Sequence, residues 1–317
     1  MSANKGLSSR AIIGNFYQRL EVATAASWVE AISMYFNSDQ ESETYKWLGQ
    51  TPAMREWVGS RKAKGFHENG LTIENLKFEA TLEIPVDWMR RDKTGQIMVR
   101  VNELADRTVT HWQSLLSALI ANGESGVCYD GQFFFDTDHQ EGEGPTQSNR
   151  HTVDISAVPG AGADDTPTNP SPIQMQHMIL TGVEKMLGIK DDQNEPLNEM
   201  ARDFLVQVPT SLWKNAAAAI RNPIVSGGDT NTLTNLDGYN FQLAVNPRLD
   251  WTDKIAIFRT DGSAAPLIRQ EEEGVTVSSV AEGSELEFQE DIHRHGVKAL
   301  RNVGYGFWQG ASLVQAV

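Results

Sequence analysis

Asp136-Thr137-Asp138-His139 is the segment of this chain best equipped for chemistry. Two carboxylates and an imidazole within four residues could hold a hard divalent cation. Joined by His293, they would form the ligand set of a metal-dependent hydrolase. The segment lacks the glycine spacing and terminal Glu of an EF-hand loop, and a turn whose Asp side chains bond their own backbone is the simpler reading. His293-Arg294-His295 alternates on a predicted strand, so two imidazoles share a face, but two ligands do not make a zinc site. Gly304-Tyr305-Gly306 lacks the GxGxxG pattern, and Gly227-Gly228-Asp229 lacks the Lys-Ser/Thr of a P-loop. The chain contains no GxSxG, HExxH or CxxC. Its one cysteine, Cys128, reads as a small packed residue beside Tyr129 rather than a reactive thiol. Trp47 and Trp57 flank a Gly/Pro turn and could stack on a sugar ring; packing in a core or interface is the stronger reading. Neither a catalytic group, a cofactor nor a metal is expected.

The elements that carry these residues read more clearly. Between 77 and 86 the alternation is strict: Phe78, Ala80, Leu82, Ile84 and Val86 face one way, with Lys77, Glu79, Thr81, Glu83 and Pro85 opposite. That is a half-buried strand. The Asn69-Gly70 dipeptide upstream, or Asn75, could bend a strand pair back into a ribbon. From 96 to 122, Ile97, Val101, Leu104, Ala105, Val109, Trp112, Leu115, Leu116, Leu119 and Ile120 recur at helical spacing, with Glu103 and Arg107 one turn apart as a candidate ion pair. A continuous helix of that length spans about 40 Å. Its apolar stripe is too wide for a coiled-coil seam and suits a helix lying across a sheet.

Elsewhere, residues 1–10 read as an arm, and 11–37 as one or two helices through Ile12, Ile13, Phe16, Leu20, Trp28, Ile32 and Tyr35. A Gly-, Pro- and Asp-rich crossing runs from 140 to 172. A helix then opens at Ser171-Pro172 and stops at Gly188, a buried strand covers 204–208, and Thr210 caps a helix over 211–221. Segments 241–245, 254–259, 276–280, 286–291 and 296–303 read mostly as strands. There is no repeat of fixed period. With 317 residues, 40% of them hydrophobic, and eight Trp, the chain can build an ample core. The net charge of −15 gives no average attraction to phosphate backbones. The short basic groups Arg61-Lys62-Ala63-Lys64 and Arg90-Arg91-Asp92-Lys93 flank the ribbon and suit acidic surfaces. No signal pattern or membrane-spanning run is read, so a cytoplasmic setting without a membrane is expected.

Several ordered blocks carry a resemblance. They are Tyr45-Lys46-Trp47-Leu48-Gly49-Gln50 with Met54-Arg55-Glu56-Trp57, Thr72-Ile73-Glu74-Asn75-Leu76-Lys77-Phe78-Glu79-Ala80-Thr81, and Cys128-Tyr129-Asp130-Gly131-Gln132-Phe133-Phe134-Phe135-Asp136-Thr137-Asp138-His139. Leu205-Val206-Gln207-Val208-Pro209 and Gly304-Tyr305-Gly306-Phe307-Trp308 follow. Together they closely resemble the major head (capsid) subunit of Mu-like tailed bacteriophages, a family similar to capsid proteins of the Hong Kong 97 type. The resemblance implies an α+β fold of four parts. An N-terminal arm and helix would cover 1–44, and an extended β-ribbon loop 60–90. A peripheral domain with a spine helix at 96–122 would take 45–59, 91–154 and 251–317, and an axial domain 155–250.

The function it implies is structural and non-enzymatic. Copies would assemble into the hexamers and pentamers of an icosahedral head enclosing double-stranded DNA, built in the bacterial host cytoplasm and ending in the virion. Implied partners are further copies of the chain, a separate scaffolding protein, a head protease, a portal, and DNA held without sequence-specific binding. Phe78, Leu82 and Ile84 are expected to meet a neighbouring subunit. Val101, Leu104, Trp112, Leu115 and Leu119 are expected to form the core face of the spine helix. The rival readings are the hydrolase using Asp136, Asp138 and His139, and another virion component such as a tail, connector or decoration protein. The Lys–Asn cross-link of some relatives has no motif here.

Overall fold

A computed structural model describes residues 8–22, 27–45, 70–92, 95–141, 144–158, 162, 165–224 and 231–317. Helices α1 (Ser9–Val22) and α2 (Ser27–Ala31) precede strands β1 (Ser33–Asn37), β2 (Ser42–Tyr45), β3 (Leu71–Glu74) and β4 (Leu76–Pro85). Helices α3 (Val86–Arg91), α4 (Gln96–Val109) and α5 (His111–Ala121) follow. Then come β5 (Arg150–Val153), α6 (Pro172–Leu187), β6 (Asp203–Val208), α7 (Trp213–Arg221), β7 (Asn240–Val245) and β8 (Lys254–Arg259). The last are β9 (Leu267–Val280), α8 (Glu285–Glu290), β10 (Ile292–Tyr305) and β11 (Ala311–Ala316).

Two main sheets organise the described chain. One has the order β1-β9-β10-β4 and the other β5-β11-β8-β6-β7; β2 and β3 form a small antiparallel pair. In the first, β9 and β10 make a long antiparallel hairpin with α8 at its tip, and β4 joins β10 with Ala80 opposite Val297. The buried face of β10 reads His293, His295, Val297, Ala299 and Arg301, every second residue, as a strand requires. Helices α1 and α4 cover this face. Ile12, Phe16, Ile84, Val101, Ala105 and Val297 make the core beneath them. The two helices are laced by Asn15 Nδ2 donating to Asn102 Oδ1 at 2.7 Å and by a bidentate Arg19–Asp106 pair at 2.7 and 2.9 Å. Each partner set is spaced i,i+4, so the rungs lie on one helix face.

In the second sheet, α6 and α7 pack on β6 and β8 through Met175, Met178, Ile179, Phe204, Val206 and Ile257. Pro172 starts α6 at a position where no backbone N–H is needed, and Gln174 accepts from Ser171 N at 2.7 Å. Gly182 lets α6 approach the sheet closely: a Cβ there would lie 2.5 Å from Ile257 Cδ1.

Several expectations are corrected. Segment 33–37 is a strand parallel to β9, not the end of a helix. Its Ser, Tyr and Phe satisfy a sheet edge as well as a helix, and only the partner strand decides. Segment 286–291 is mostly helical: Ser284 Oγ accepts from Glu287 N, the Ser-x-x-Glu start signal that apolar spacing hid. A 3₁₀ turn, Thr210–Leu212, precedes α7. The 96–122 helix breaks at Thr110, whose ψ is −1°. Thr108 Oγ1 bonds back to Leu104 O at 2.8 Å and Arg301 Nη2 takes Thr108 O at 3.2 Å, so competing donors crowd the helix carbonyls at the break. Glu103 pairs with Arg100 at 2.8 Å rather than with Arg107. Finally, no strand among the described residues folds back locally on β4. At Asn75 the chain passes from β3, paired with β2, to β4, paired with β10. Asn69, the basic group 61–64, and Trp47 and Trp57 lie outside the described residues.

Candidate assembly site

The segment offered for metal binding closes a buried lock instead. His139 is fully buried, and its Nδ1 lies 2.6 Å from Asp130 Oδ2. Its ring stacks on Trp308 at 4.0 Å with the planes 7° apart. Asp136 is spent on its own turn: Oδ1 accepts from Thr137 N at 2.8 Å and Oδ2 from Phe133 N at 3.2 Å. Asp138 joins neither group. His293 belongs to another core, with Ser9 Oγ 3.5 Å from Nδ1 and Glu287 Oε1 3.2 Å from Nε2. Among the described residues, no three His, Cys, Asp or Glu side chains converge as a metal ion would need. The hydrolase reading has no support in this arrangement.

Around the lock a polar cluster is sealed into the largest core. Cys128 and Tyr129 are buried there beside Phe134, Phe135 and Trp308. The Tyr129 hydroxyl donates to Glu141 Oε1, and Gln309 Nε2 donates to both Tyr129 Oη at 2.7 Å and Glu141 Oε1 at 2.5 Å. Burial pushes the Glu141 carboxyl above its ordinary range, against the opposing pull of those two donors, and pushes Cys128 and Tyr129 well up. A raised folded-state pKa means that Glu141 favours folding below the unfolded value of about 4.3 and loses that contribution as pH rises through the folded value. Glu141→Gln keeps an acceptor oxygen and removes the buried charge. Its Tm at pH 7 is expected to match or exceed that of the wild type, with the advantage shrinking as pH falls from the raised folded value toward about 4.3 and constant below that. A melting series from pH 3.5 to 7 checks this, and a markedly lower Tm at pH 7 would refute it.

The ribbon and spine residues lie along α4, α5 and β4. Ile84 is 4% exposed and sits in the core of α1 and α4, whereas Phe78 and Leu82 are half-buried. Ile84 is therefore spent inside the chain, because helices α1 and α4 reach that face first. Val101 is buried in the same core, with Leu104 half-buried against it. Trp112, Leu115 and Leu119 are also half-buried; Trp112 and Leu119 pack against the neighbouring core that holds Leu116 and Ile120. Two guanidinium groups also approach the Trp112 ring, Arg301 at 4.7 Å and Arg269 at 5.7 Å from its centre.

Arg301 is a key residue that sequence reasoning passed over. It is 4% exposed, and its Nε donates to His111 Nδ1 at 3.1 Å. Burial, with help from Arg301 and Arg248, pushes His111 down to about 4, so the ring is a neutral acceptor at pH 7. The one available signal was its place on the period-two face that also holds His293 and His295. Gln309, equally overlooked, follows directly on the quoted Gly304–Trp308 block.

Comparison with known proteins places this arrangement. Residues 9–160 match the family model of the Mu-like prophage major head subunit gpT. The major capsid protein of Escherichia phage Mu is 36% identical over 115 residues, covering 36% of this chain and 38% of that protein. The FluMu major head subunit of Haemophilus influenzae is 33% identical over 132 residues, covering 42% and 43%. The matched stretch thus spans about two fifths of each relative's own length. Among solved structures, the procapsid of bacteriophage JBD30 superposes with a TM-score of 0.55 at 24% identity, over 96% of this chain and 74% of that one. The mature capsid of bacteriophage PhiM1 gives 0.55 at 10% identity, over 92% and 87%. At such identities the likeness is one of fold. Residues 9–160 are thus similar to the Mu-like major head subunit family, and the chain as a whole has the α+β Hong Kong 97-type capsid fold.

Proposed function

We propose that this protein is the major capsid subunit of a Mu-like phage, a structural protein that self-assembles into the hexamers and pentamers of an icosahedral head around double-stranded DNA. The observation that carries the reading is the match of residues 9–160 to the head subunit family within a capsid fold that covers 96% of the chain. The surface supports it: Trp88, Met200, Trp213, Ile224 and Phe288 are all more than half exposed, an apolar load that suits repeated protein contacts. Many weak contacts per subunit sum to a stable shell. The acidic balance keeps packaged phosphate from adhering to the wall.

In this reading the arm covers 1–44, and the peripheral domain takes 45–59, 91–154 and 251–317 with α4 and α5 as its spine. The ribbon loop takes in 60–90, and the axial domain centres on 155–250. The second sheet also draws β5, β8 and β11 into its layer, so the axial unit extends to those strands. A scaffolding protein, a head protease and a portal are the further partners, and the head is built in the bacterial cytoplasm. Electron microscopy of the purified protein, with and without a co-expressed scaffolding partner, tests the proposal. Closed shells or six-fold rings are expected. Dispersed monomers or dimers under both conditions would overturn it.

A further inference from the structure

Two features of the surface fit each other and cannot meet within one chain. The first is a pocket of about 250 Å³ between α4 and the β4–β10 strands. Its walls include Phe78, Ala80, Leu104, Val297 and Ala299, so its floor is apolar. Arg107, His111, Lys298 and Arg301 supply positive or donor groups around it, against a single carboxylate, Glu79. Lys298 is already held by Glu273 at 2.7 Å, and Arg301 by His111 and by Glu271 at 3.7 Å, but among the described residues no carboxylate pairs with Arg107.

The second feature is the tip of the β9–β10 hairpin. On α8, Phe288 is 91% exposed and is the most exposed large apolar side chain among the described residues. It stands within Glu285-Leu286-Glu287-Phe288-Gln289-Glu290-Asp291, a run with four carboxylates and no cation. Glu287 is turned back to Gly283 N and His293, and Glu290 lies 4.0 Å from Arg294, whereas the exposed Glu285, three residues before Phe288 on the helix, accepts only from Gln289 Nε2 among the described residues. An aromatic knob flanked by carboxylates is the chemical complement of an apolar hole rimmed by cations. The tip lies beyond Ile292, and the pocket centres near Ala299. Seven strand residues, about 23 Å along the same β10, therefore separate them.

We propose that Phe288 of one copy docks into the pocket beside α4 of a second copy, with Glu285 facing Arg107. The proposal rests on the shell reading above. Because knob and hole are different patches, the contact is head-to-tail, the kind that closes into rings when the rotation between copies permits. It also gives the half-buried Phe78 a covered surface that its own chain does not supply.

The test compares wild type, Phe288→Ala, Arg107→Glu, Glu285→Arg and the Arg107→Glu/Glu285→Arg double variant, by sedimentation velocity and electron microscopy. Phe288 is so exposed that its alanine variant should keep the wild-type Tm of the unassembled chain, which separates assembly from folding. Phe288→Ala is expected to raise the protein concentration needed for assembly roughly 30-fold, the loss of a buried aromatic anchor. Each charge reversal should raise it several-fold, and the double variant should recover most of that loss. Wild-type assembly of Phe288→Ala, or no recovery in the double variant, overturns the docking while leaving the shell reading intact. A wild type that never assembles overturns both.

Discussion

Trp308→Ala is expected to lower the stability of the unassembled chain by about 3–5 kcal/mol, the usual cost of truncating a fully buried Trp. Trp308 is 0% exposed, lies against His139 at 4.0 Å, and offers its carbonyl to Asn149 Nδ2 at 3.3 Å. Its removal opens a cavity in the largest core and uncovers the Asp130–His139 pair, which then loses its apolar cover as well as its stacking partner. Both terms act in one direction. The expected reading is a Tm lower by roughly 6–10 °C, with Trp308→Phe, which keeps a ring over His139, losing less. A variant melting within a degree or two of the wild type would show that the lock does not hold this core.

Ile84→Ala should cost the isolated chain about 2–5 kcal/mol. Ile84 is 4% exposed within the α1–α4 core, so the loss falls on the subunit before any neighbour is met. Urea unfolding of unassembled protein measures it. Phe78→Ala, by contrast, opens a half-buried pocket wall and should disturb the monomer less than the assembly. If Ile84→Ala instead unfolded at the wild-type urea concentration and only failed to assemble, the β4 face would belong to the interface and not to the chain's own core.

The pair of variants marks what could be read in advance. Alternation in residues 77–86 identified a strand and its apolar face without ambiguity, since a side-chain period of two has no other source. It could not name what covers that face, because a neighbour's surface and the chain's own α1 and α4 are equally apolar. The 96–122 helix was legible from its stripe. Its break at Thr110 was not, because the donors that compete for its carbonyls include Arg301, nearly 200 residues away. The Ser284–Glu287 start of α8 was present in the sequence but masked by an apolar spacing that also fits a strand.

The same division holds for the candidate site. The sequence by itself determined the family resemblance, the acidic surface, the lack of any recognisable catalytic spacing, and the pairing of His293 with His295 on one face. These are properties of local order and composition, which folding does not alter. The tertiary structure decided that His139 serves Asp130 and Trp308, that Arg301 is buried at a helix break, and that an exposed Phe288 and a cation-rimmed pocket lie along the same β9–β10 hairpin. Each of those depends on which distant segments the sheets bring together, and short-range spacing carries no information about contacts closed over one or two hundred residues.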